Sequence, residues 1–209
     1  MITLVFSDTK RSLTYLDKII KNKIRFQKII LYSKNKGIVY EFIKKKKLTK
    51  FTIFLKTNNV NSNTLEKKLK LNNSKINVVC TYPGEIVKNP LVLKYKLLHC
   101  HPGDLPMFKG STTIYYTLIL KREICVSLFL ISEKIDCGKI LYKKYFKAPP
   151  NKIYDIEQNF DNEIRALTLI EYLKSKKDFT YSPSKKKYLE YYIAHPLIRQ
   201  IVLNKDHLR

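Results

Sequence analysis

Glycine and long apolar runs are both scarce in this chain. Only five of the 209 residues are glycine, and no apolar run reaches the roughly 20 residues that a membrane-spanning helix needs. The N-terminus also lacks the basic-then-apolar order of a signal peptide. We therefore expect a cytoplasmic protein that does not associate with membranes.

Cysteine is sparse too, and its spacing is not paired. The four cysteines do not form a Cys-x-x-Cys motif, which disfavours a disulfide framework or a zinc site of that kind. A metal site built from His99, Cys100, His101 and Cys137 is disfavoured as well, because neighbouring residues on a strand face opposite ways. We predict that the protein uses no metal and that most of these thiols are small buried side chains. The cysteines are Cys80, Cys100, Cys125 and Cys137.

Acidic residues are few, and the chain is strongly basic. Lys and Arg number 41 against 17 Asp and Glu, a formal charge of +24. A charge of this sign and size is typical of proteins that bind nucleic acid. However, Arg, which binds bases and phosphates better than Lys does, occurs only six times. The excess Lys, with much Asn, Ile, Tyr and Phe, is typical of an A/T-rich coding sequence. We therefore disfavour nucleic acid as a partner and retain the charge as an attraction for anionic substrates.

The few glycines are concentrated in one part of the chain. Four of the five lie in or just before residues 99–138. Their use here indicates backbone that takes positive φ or comes close to a ligand. Four prolines in the same region fix φ and remove N–H donors. These residues are Gly84, Gly103, Gly110 and Gly138, with Pro83, Pro90, Pro102 and Pro106.

Apolar runs typical of buried strands alternate with segments of helical spacing along most of the chain. This alternation predicts an α/β fold with a Rossmann-like, mainly parallel sheet and flanking helices. We divide the chain into a catalytic domain over residues 1–178 and a short C-terminal appendage over 179–209. The appendage is expected to pack as a tail, to cover the acceptor side or to form a subunit contact in a homodimer. The predicted strands are 2–7, 26–33, 51–55, 76–82, one ending the run 91–98, 124–131 and 140–147; the predicted helices are 12–20, 37–47, 64–71, 113–120 and 155–174.

Two histidines and one aspartate supply the side chains of a proton-transfer site. His99 and His101 are predicted at the carboxyl end of a strand, which is the edge where open α/β sheets bind ligands. An imidazole titrates near neutral pH, and a nearby carboxylate sets its tautomer and stabilises its protonated form. Asp136 follows after enough chain for a connecting strap, a helix and a returning strand. We therefore expect His101 and Asp136 to meet.

Three segments in this region carry a resemblance to a known family. They read His-Pro-Gly-x-Leu-Pro-x-Phe-Lys-Gly from His101, Ile-Tyr-Tyr-Thr-Leu from Ile114, and Val-Ser-Leu-Phe-Leu-Ile-Ser-Glu-Lys-Ile-Asp-Cys-Gly-Lys-Ile-Leu from Val126. Together they resemble the folate-dependent formyltransferases, which include methionyl-tRNA formyltransferase, glycinamide ribonucleotide transformylase and the amino-sugar N-formyltransferases. The family signature is Asn-x-His-Pro, then Leu-Pro, an aromatic-Arg/Lys-Gly and finally Asp-x-Gly. The resemblance extends over most of residues 1–147.

The resemblance implies an enzyme that moves a formyl group from 10-formyltetrahydrofolate to a primary amine. His101 matches the catalytic histidine of the family, and Asp136 matches its catalytic aspartate. His99 stands where the family has asparagine, so we expect His99 to supply the hydrogen-bond donor to the developing oxyanion. The resemblance also implies two loops that hold the folate. Their residues are Tyr82, Pro83, Gly84, Glu85 and Ile86 after the fourth strand, and Ser132, Ile135 and Cys137 around Asp136.

The acceptor is predicted to contact Lys109 and Gly110 of the strap, residues 107–111, and Tyr115 of the following helix, for which core packing is the alternative. Lys10 and Arg11 lie near the N-terminus of the first predicted helix, where basic side chains and N–H groups could hold a phosphate; a solvated helix start is the alternative. By elimination we favour a nucleotide-linked amino-sugar. The Gly-Ser-Asn phosphate loop of glycinamide ribonucleotide transformylase is absent, and the chain leaves no room for the tRNA-gripping barrel of methionyl-tRNA formyltransferase. The alternatives are a methionyl-tRNA formyltransferase-like enzyme lacking that domain and a folate-binding homologue with lost activity.

Overall fold

The computed structural model describes residues 1–72, 74–88, 91, 94–121, 123–147, 156–175 and 188–203. The chain forms two compact units. The first unit comprises Met1–His99 with Leu130–Glu133, and the second comprises Cys100–Phe129 with Lys134–Arg209. No helix formed by the described residues is long and apolar enough to cross a bilayer.

The first unit is built by alternating strands and helices. The elements are β1 (Ile2–Ser7), α1 (Lys10–Lys21), β2 (Phe26–Ser33), α2 (Ile38–Lys45), a 3₁₀ turn (Thr49–Phe51), β3 (Thr52–Lys56), α3 (Asn63–Asn72), β4 (Ile76–Cys80) and β5 (Leu97–His101). Strand β1 pairs in parallel with β2 and with β4, β2 pairs in parallel with β3, and β4 pairs in parallel with the start of β5. The core of this unit lies where these strands bury Val5, Ile30 and Val79 against Leu65 and Leu69 of helix α3.

The second unit begins inside β5 and carries the candidate site. The elements are β6 (Lys109–Gly110), α4 (Thr113–Lys121), β7 (Glu123–Leu130), β8 (Ile140–Lys147), a π-helical turn (Ile156–Phe160), α5 (Asp161–Ser175), β9 (Glu190–Tyr191) and α6 (Pro196–Leu203). Strands β7 and β8 form an antiparallel pair, and the short strands β6 and β9 form a separate parallel pair.

In the first unit the strand order is β3-β2-β1-β4, with the start of β5 beside β4, and in the second unit β7 lies beside β8. The four strand pairs given for the first unit are all parallel, so the predicted α/β fold with a mainly parallel sheet and flanking helices is confirmed. The alternation of buried runs with amphipathic segments gave this result because each helix must bury one face against the sheet.

The prediction that the run 91–98 ends in a strand is confirmed. Strand β5 begins only at Leu97, and the N–H of Tyr95 donates to the carbonyl of Leu91, a bond of helical spacing. Leu91 and Tyr95 pack into the same hydrophobic cluster, which a helical turn allows because residues four apart share a face. Val92 and Leu93 lie outside the described residues.

The C-terminal half follows the predicted order, and the largest difference in bounds is in its long helix. The helix predicted over 155–174 begins at Asp161 and is preceded by the π-helical turn; Asp155 lies outside the described residues. The predicted loops at 181–183 and 185–187, and the domain boundary at 178, lie outside them too. Residues 188–203 belong to the second unit. The two-domain division stays a prediction.

Candidate active site

His101 is the last residue of β5 and is almost completely buried, with 4% of its surface exposed. Its Nε2 lies 2.7 Å from the carbonyl oxygen of Phe108. A carbonyl only accepts hydrogen bonds, so Nε2 must carry a hydrogen and donate it. In the neutral ring Nδ1 then holds a lone pair. Nδ1 is 3.5 Å from Oδ2 of Asp136, so the expected meeting of these two residues is observed.

Gly103 makes the contact between His101 and Phe108 sterically feasible. A Cβ at this position would lie 2.4 Å from the Phe108 carbonyl oxygen and 2.6 Å from Nε2 of His101. Neither group can move away without breaking their hydrogen bond. Any side chain at position 103 would therefore displace the imidazole.

Asp136 is held in place from the strap. Its Oδ2 accepts a hydrogen bond from the Gly110 N–H at 2.9 Å. The Asp136 backbone has φ of 48°, and Gly110 has φ of 97°. Aspartate tolerates this left-handed region better than most residues, and glycine occupies it without strain. The turn therefore presents the carboxylate toward Nδ1 of His101.

Burial of His101 outweighs the charges around it and favours the neutral ring. Burial lowers the pKa of His101, and the neighbouring Asp136 carboxylate and the bond to Phe108 oppose this effect without cancelling it. Arg165 also lowers the pKa, while Asp161 raises it. These two residues form a buried bidentate pair, with Nε and Nη2 of Arg165 each 2.7 Å from an Asp161 oxygen. Arg165 also donates to the Cys100 carbonyl at 2.9 Å and so fixes the end of β5.

The loop between His101 and the strap is anchored by Asp104. Its carboxylate accepts from Lys121 at 2.8 Å and from Lys143 at 2.7 Å. Burial alone would raise the pKa of Asp104, but the two lysines outweigh it and hold the pKa below its ordinary value. Ser127 donates to the Gly103 carbonyl at 2.7 Å and accepts from the Leu105 N–H at 3.1 Å. The loop is therefore tied to β7 and β8, independently of any ligand.

His99 lies in the first unit, two residues before His101 on the same strand. Its Nδ1 is 3.3 Å from the Val79 carbonyl oxygen, so the Nδ1–H donates to that oxygen. The neutral ring then presents Nε2 as an acceptor. His99 donates from Nε2 only when its ring is protonated, unlike the neutral amide of asparagine.

The loop after β4 is organised around the Glu85 side chain. Oε2 of Glu85 accepts from the Tyr32 hydroxyl at 2.8 Å and from the Tyr82 N–H at 3.1 Å, while Oε1 accepts from the Val60 N–H at 2.5 Å. Burial and this carboxylate raise the pKa of Tyr32 well above its ordinary value. Glu85 therefore fixes the shape of the loop through its side chain.

Backbone groups of the same loop are available to a ligand. Within the described part of the chain, no hydrogen bond engages the N–H groups of Gly84 and Ile86. Tyr82, Pro83, Gly84 and Glu85 also line a cavity of about 460 Å³ together with residues of the β2 and β3 ends. Those further lining residues are Ser33, Lys34, Asn35 and Asn58.

The remaining predicted residues lie in several places. Ser132 belongs to the first unit; Ile135 and Cys137 flank Asp136 in the second and are exposed. Lys109 of β6 places its Nζ 3.8 Å from the Cys137 sulfur. Tyr115 is 4% exposed and lies under Arg199, which places it in core packing, the alternative given above. Lys10 and Arg11 start α1 behind Thr9, which accepts from the Ser12 N–H as the N-cap.

A sequence model of the formyl transferase family matches residues 6–166. That segment is most of the chain and contains His99, His101 and Asp136. The chain belongs to the formyl transferase family.

Known formyl transferases resemble the chain in sequence and in fold. The methionyl-tRNA formyltransferase of Mycoplasma pneumoniae is 30% identical over 76 residues, which are 35% of this chain but only 24% of that protein. The phosphoribosylglycinamide formyltransferase of Campylobacter jejuni superposes with a TM-score of 0.62 at 22% identity, over 81% of this chain and 95% of that one. An N-formyltransferase of Helicobacter canadensis, solved with folinic acid and dTDP-3-aminofucose, superposes with a TM-score of 0.61 at 16% identity, over 91% of this chain and 70% of that one. The chain therefore has the formyl transferase fold.

Several parts of this formyl transferase site were missed by sequence reasoning. Among them are the Phe108 carbonyl as the partner of His101, the Asp104 anchor and the buried Arg165–Asp161 pair. The i, i+4 spacing of Asp161 and Arg165 in α5 is a signal that a sequence reader could have used. A backbone carbonyl leaves no such signal. Among the described residues no cluster of three or more His, Cys, Asp or Glu side chains is arranged to hold a metal.

Proposed function

We propose that this formyl transferase family member is an N-formyltransferase that moves the formyl group of 10-formyltetrahydrofolate to a primary amine. The observation that carries the proposal is the His101–Asp136 pair: a buried neutral imidazole with its Nε2–H fixed on the Phe108 carbonyl and its Nδ1 facing a carboxylate. Such a pair can accept a proton at neutral pH, which is what attack by an amine requires.

The amine nitrogen attacks the formyl carbon of the folate co-substrate, whose oxygen gains negative charge. The bond from that carbon to the folate nitrogen then breaks, and tetrahydrofolate leaves with the proton that the amine gave up. We assign His101 the role of accepting the amine proton at Nδ1. The resulting imidazolium would lie between two acceptors, the Phe108 carbonyl and the Asp136 carboxylate. Asp136 would thus stabilise the charged ring, and the Gly110 N–H would hold Asp136 in register.

His99 is assigned to the developing oxyanion as the substitute for the family asparagine. Because its Nδ1–H is directed to Val79, the donor to the oxyanion must be Nε2–H of the protonated ring. A positively charged donor would stabilise an oxyanion strongly. Catalysis through His99 therefore needs a protonated His99 together with a neutral His101.

The residues that we assign to folate fit a flat, hydrogen-bonding ring system. The N–H groups of Gly84 and Ile86 are uncommitted within the described residues, and Glu85 keeps the loop in one conformation. Tyr82 and Pro83 complete this segment, and Ser132, Ile135 and Cys137 are assigned to the same ligand. A relative with the same fold was solved with folinic acid, which supports a folate ligand.

We favour a nucleotide-linked amino-sugar as the acceptor, with Lys109 and Gly110 at the amine side and Lys10 and Arg11 at the phosphates. The fold match to the Helicobacter canadensis enzyme, solved with dTDP-3-aminofucose, supports this choice. The sequence relatives favour a second candidate, methionyl-tRNA, since those curated matches are methionyl-tRNA formyltransferases. The formal charge of +24 would suit that acceptor as well.

We place the reaction in the cytoplasm, and the cysteines support this. None of the four, all of which lie among the described residues, forms a disulfide, as expected in a reducing compartment. A homodimer stays a prediction from the sequence.

A panel of acceptors tests the proposal directly. Formyl transfer from 10-formyltetrahydrofolate would be followed as tetrahydrofolate release with dTDP- and UDP-linked amino-sugars, glycinamide ribonucleotide and methionyl-tRNA. We expect turnover with one of the amino-sugars and a loss of about 10²-fold or more in Asp136→Asn, because the amide cannot stabilise the imidazolium. Turnover with methionyl-tRNA alone would establish the second candidate. Folate binding without turnover of any acceptor would identify a homologue that has lost activity.

A further inference from the structure

The C-terminal strand β9 lies directly against the strap. Lys109 pairs with Glu190, and Gly110 pairs with Tyr191. The Ser111 N–H then donates to the Tyr191 carbonyl at 2.8 Å, and the Ala194 N–H donates to the Thr112 hydroxyl at 2.7 Å. A short segment of chain thus pairs with Lys109 and Gly110 and hydrogen-bonds to Ser111 and Thr112.

The approach at Gly110 is close enough to exclude any other residue. A Cβ there would lie 2.3 Å from the Tyr191 carbonyl oxygen and 3.0 Å from its nitrogen. Both atoms belong to backbone, so no rotamer change relieves the clash. Glycine at position 110 is therefore required both for the close contact with β9 and for the positive φ.

The Tyr191 ring completes an aromatic stack on the same strap. Its ring centroid lies 5.3 Å from that of Phe108, with an angle of 24° between the ring planes, and 4.6 Å from that of Tyr116. Phe108 is almost completely buried, with 1% of its surface exposed. Aromatic pairs at these distances stabilise a contact beyond the area that they bury.

The strap residues that contact Tyr191 are the ones that hold the proton-transfer pair. The Phe108 carbonyl accepts from His101 Nε2, and the Gly110 N–H donates to Asp136 Oδ2. One side of residues 108–110 therefore faces the site, and the other side is set by β9. A shift of the strap would change both bonds together.

We propose that Tyr191 is a positioning residue for formyl transfer, acting through Phe108 and Gly110 on His101 and Asp136. The inference rests on the function proposed above, and it assigns to the C-terminal segment a role in proton transfer. Tyr191 holds the carbonyl on the imidazole and the N–H on the carboxylate, so that Nδ1 of His101 faces Asp136 when the amine arrives.

Substitutions in the full chain test this role. Tyr191→Ala removes the stack, Tyr191→Phe keeps it, and Tyr192→Ala is the matched control because the Tyr192 side chain is 84% exposed. We expect Tyr191→Ala to lower kcat about 10²-fold, since misplacing catalytic groups by about 1 Å costs that much, with little change in KM. Tyr191→Phe and Tyr192→Ala should retain wild-type kcat.

The second readout needs no substrate. In spectra of the protein labelled with ¹⁵N-histidine, Tyr191→Ala should shift the His101 ring nitrogens and their titration, while Tyr192→Ala should leave them unchanged. If Tyr191→Ala does not fold, Tyr191→Leu, which keeps an apolar contact, is measured in its place. Wild-type kcat and an unchanged His101 spectrum in the Ala or Leu variant would overturn the role of Tyr191. If the wild type transfers formyl to none of the acceptors, the proposed function is overturned. The role of Tyr191 would still be tested by the spectra, because they report whether Tyr191 positions the His101 ring.

Discussion

At position 103 the identity of one residue decides whether the site can form. The Phe108 carbonyl and the His101 ring approach Gly103 so closely that a methyl group would overlap both. A glycine next to proline usually indicates a turn. Here it also provides the space in which the imidazole receives its hydrogen-bond partner.

Gly103→Ala should therefore lower turnover without unfolding the protein. The added methyl group displaces either the carbonyl or the ring, which breaks the 2.7 Å bond and turns Nδ1 away from Asp136. We expect kcat to fall about 10²-fold, with circular dichroism like that of the wild type. Wild-type kcat in this variant would contradict the role of the Phe108 carbonyl.

His99 offers a second prediction at the same scale, concerning pH. If Nε2 of His99 donates only from the protonated ring, transfer by the wild type should decline with rising pH. His99→Asn restores the family residue, whose amide donates while neutral, so its kcat should stay level over the same pH range. His99→Ala should be slow at every pH. Parallel pH profiles of the wild type and His99→Asn would exclude a charged donor.

At the scale of elements, the loop after β4 is held by one half-buried carboxylate, that of Glu85. Glu85 satisfies the Tyr32 hydroxyl, the Tyr82 N–H and the Val60 N–H at once. These three groups come from β2, from the loop itself and from the segment before α3. The loop is therefore ordered before any folate arrives.

Glu85→Ala should weaken folate binding and lower stability together. The substitution leaves the buried Tyr32 hydroxyl without its acceptor, which costs about 1–3 kcal/mol, and the loop loses its fixed shape. We expect a higher Kd for folinic acid and a lower Tm. Adding Tyr32→Phe to this variant removes the stranded hydroxyl and should restore part of the Tm but not the affinity. An unchanged Kd in Glu85→Ala would show that the shape of this loop does not determine folate affinity.

At the scale of the whole molecule, the buried histidine links stability to pH. Burial lowers the pKa of His101 below its ordinary value of 6.5. Below pH 6.5 the unfolded chain binds a proton that the folded protein excludes, so the free energy of unfolding falls as the pH drops toward the folded pKa. The slope for one such group is at most about 1.4 kcal/mol per pH unit.

Urea unfolding at pH 7.5, 6 and 5 would measure this contribution. We expect the wild type to lose stability over this range more steeply than His101→Gln, which cannot titrate. The carboxylates affect both proteins alike, so the difference between the two slopes isolates His101. Equal slopes would mean that the folded protein admits the proton and that His101 is charged in its buried position.

The sequence predicted the order of elements well because each depends on local patterns. Strands β1, β2 and β8 have the predicted bounds, since an uninterrupted apolar or alternating run ends at a clear turn. Residues 91–96 could not be predicted in this way, because a short apolar run suits a buried helical turn as well as a strand. The meeting of His101 with Asp136 was predicted from topology together with the family motif. The bond to Phe108 was not, since a main-chain carbonyl carries no residue signature.

The sequence by itself determined the fold class, the family and the identity of the histidine and aspartate that face each other. These follow from hydrophobic periodicity and from side-chain types at fixed spacing, which the chain carries wherever it is folded. The tertiary structure alone decided the tautomer of His101, the direction of the His99 ring and the contact of Tyr191 with the strap. Each of these depends on which backbone group lies within hydrogen-bond distance of a side chain, and that distance exists only after distant segments have packed.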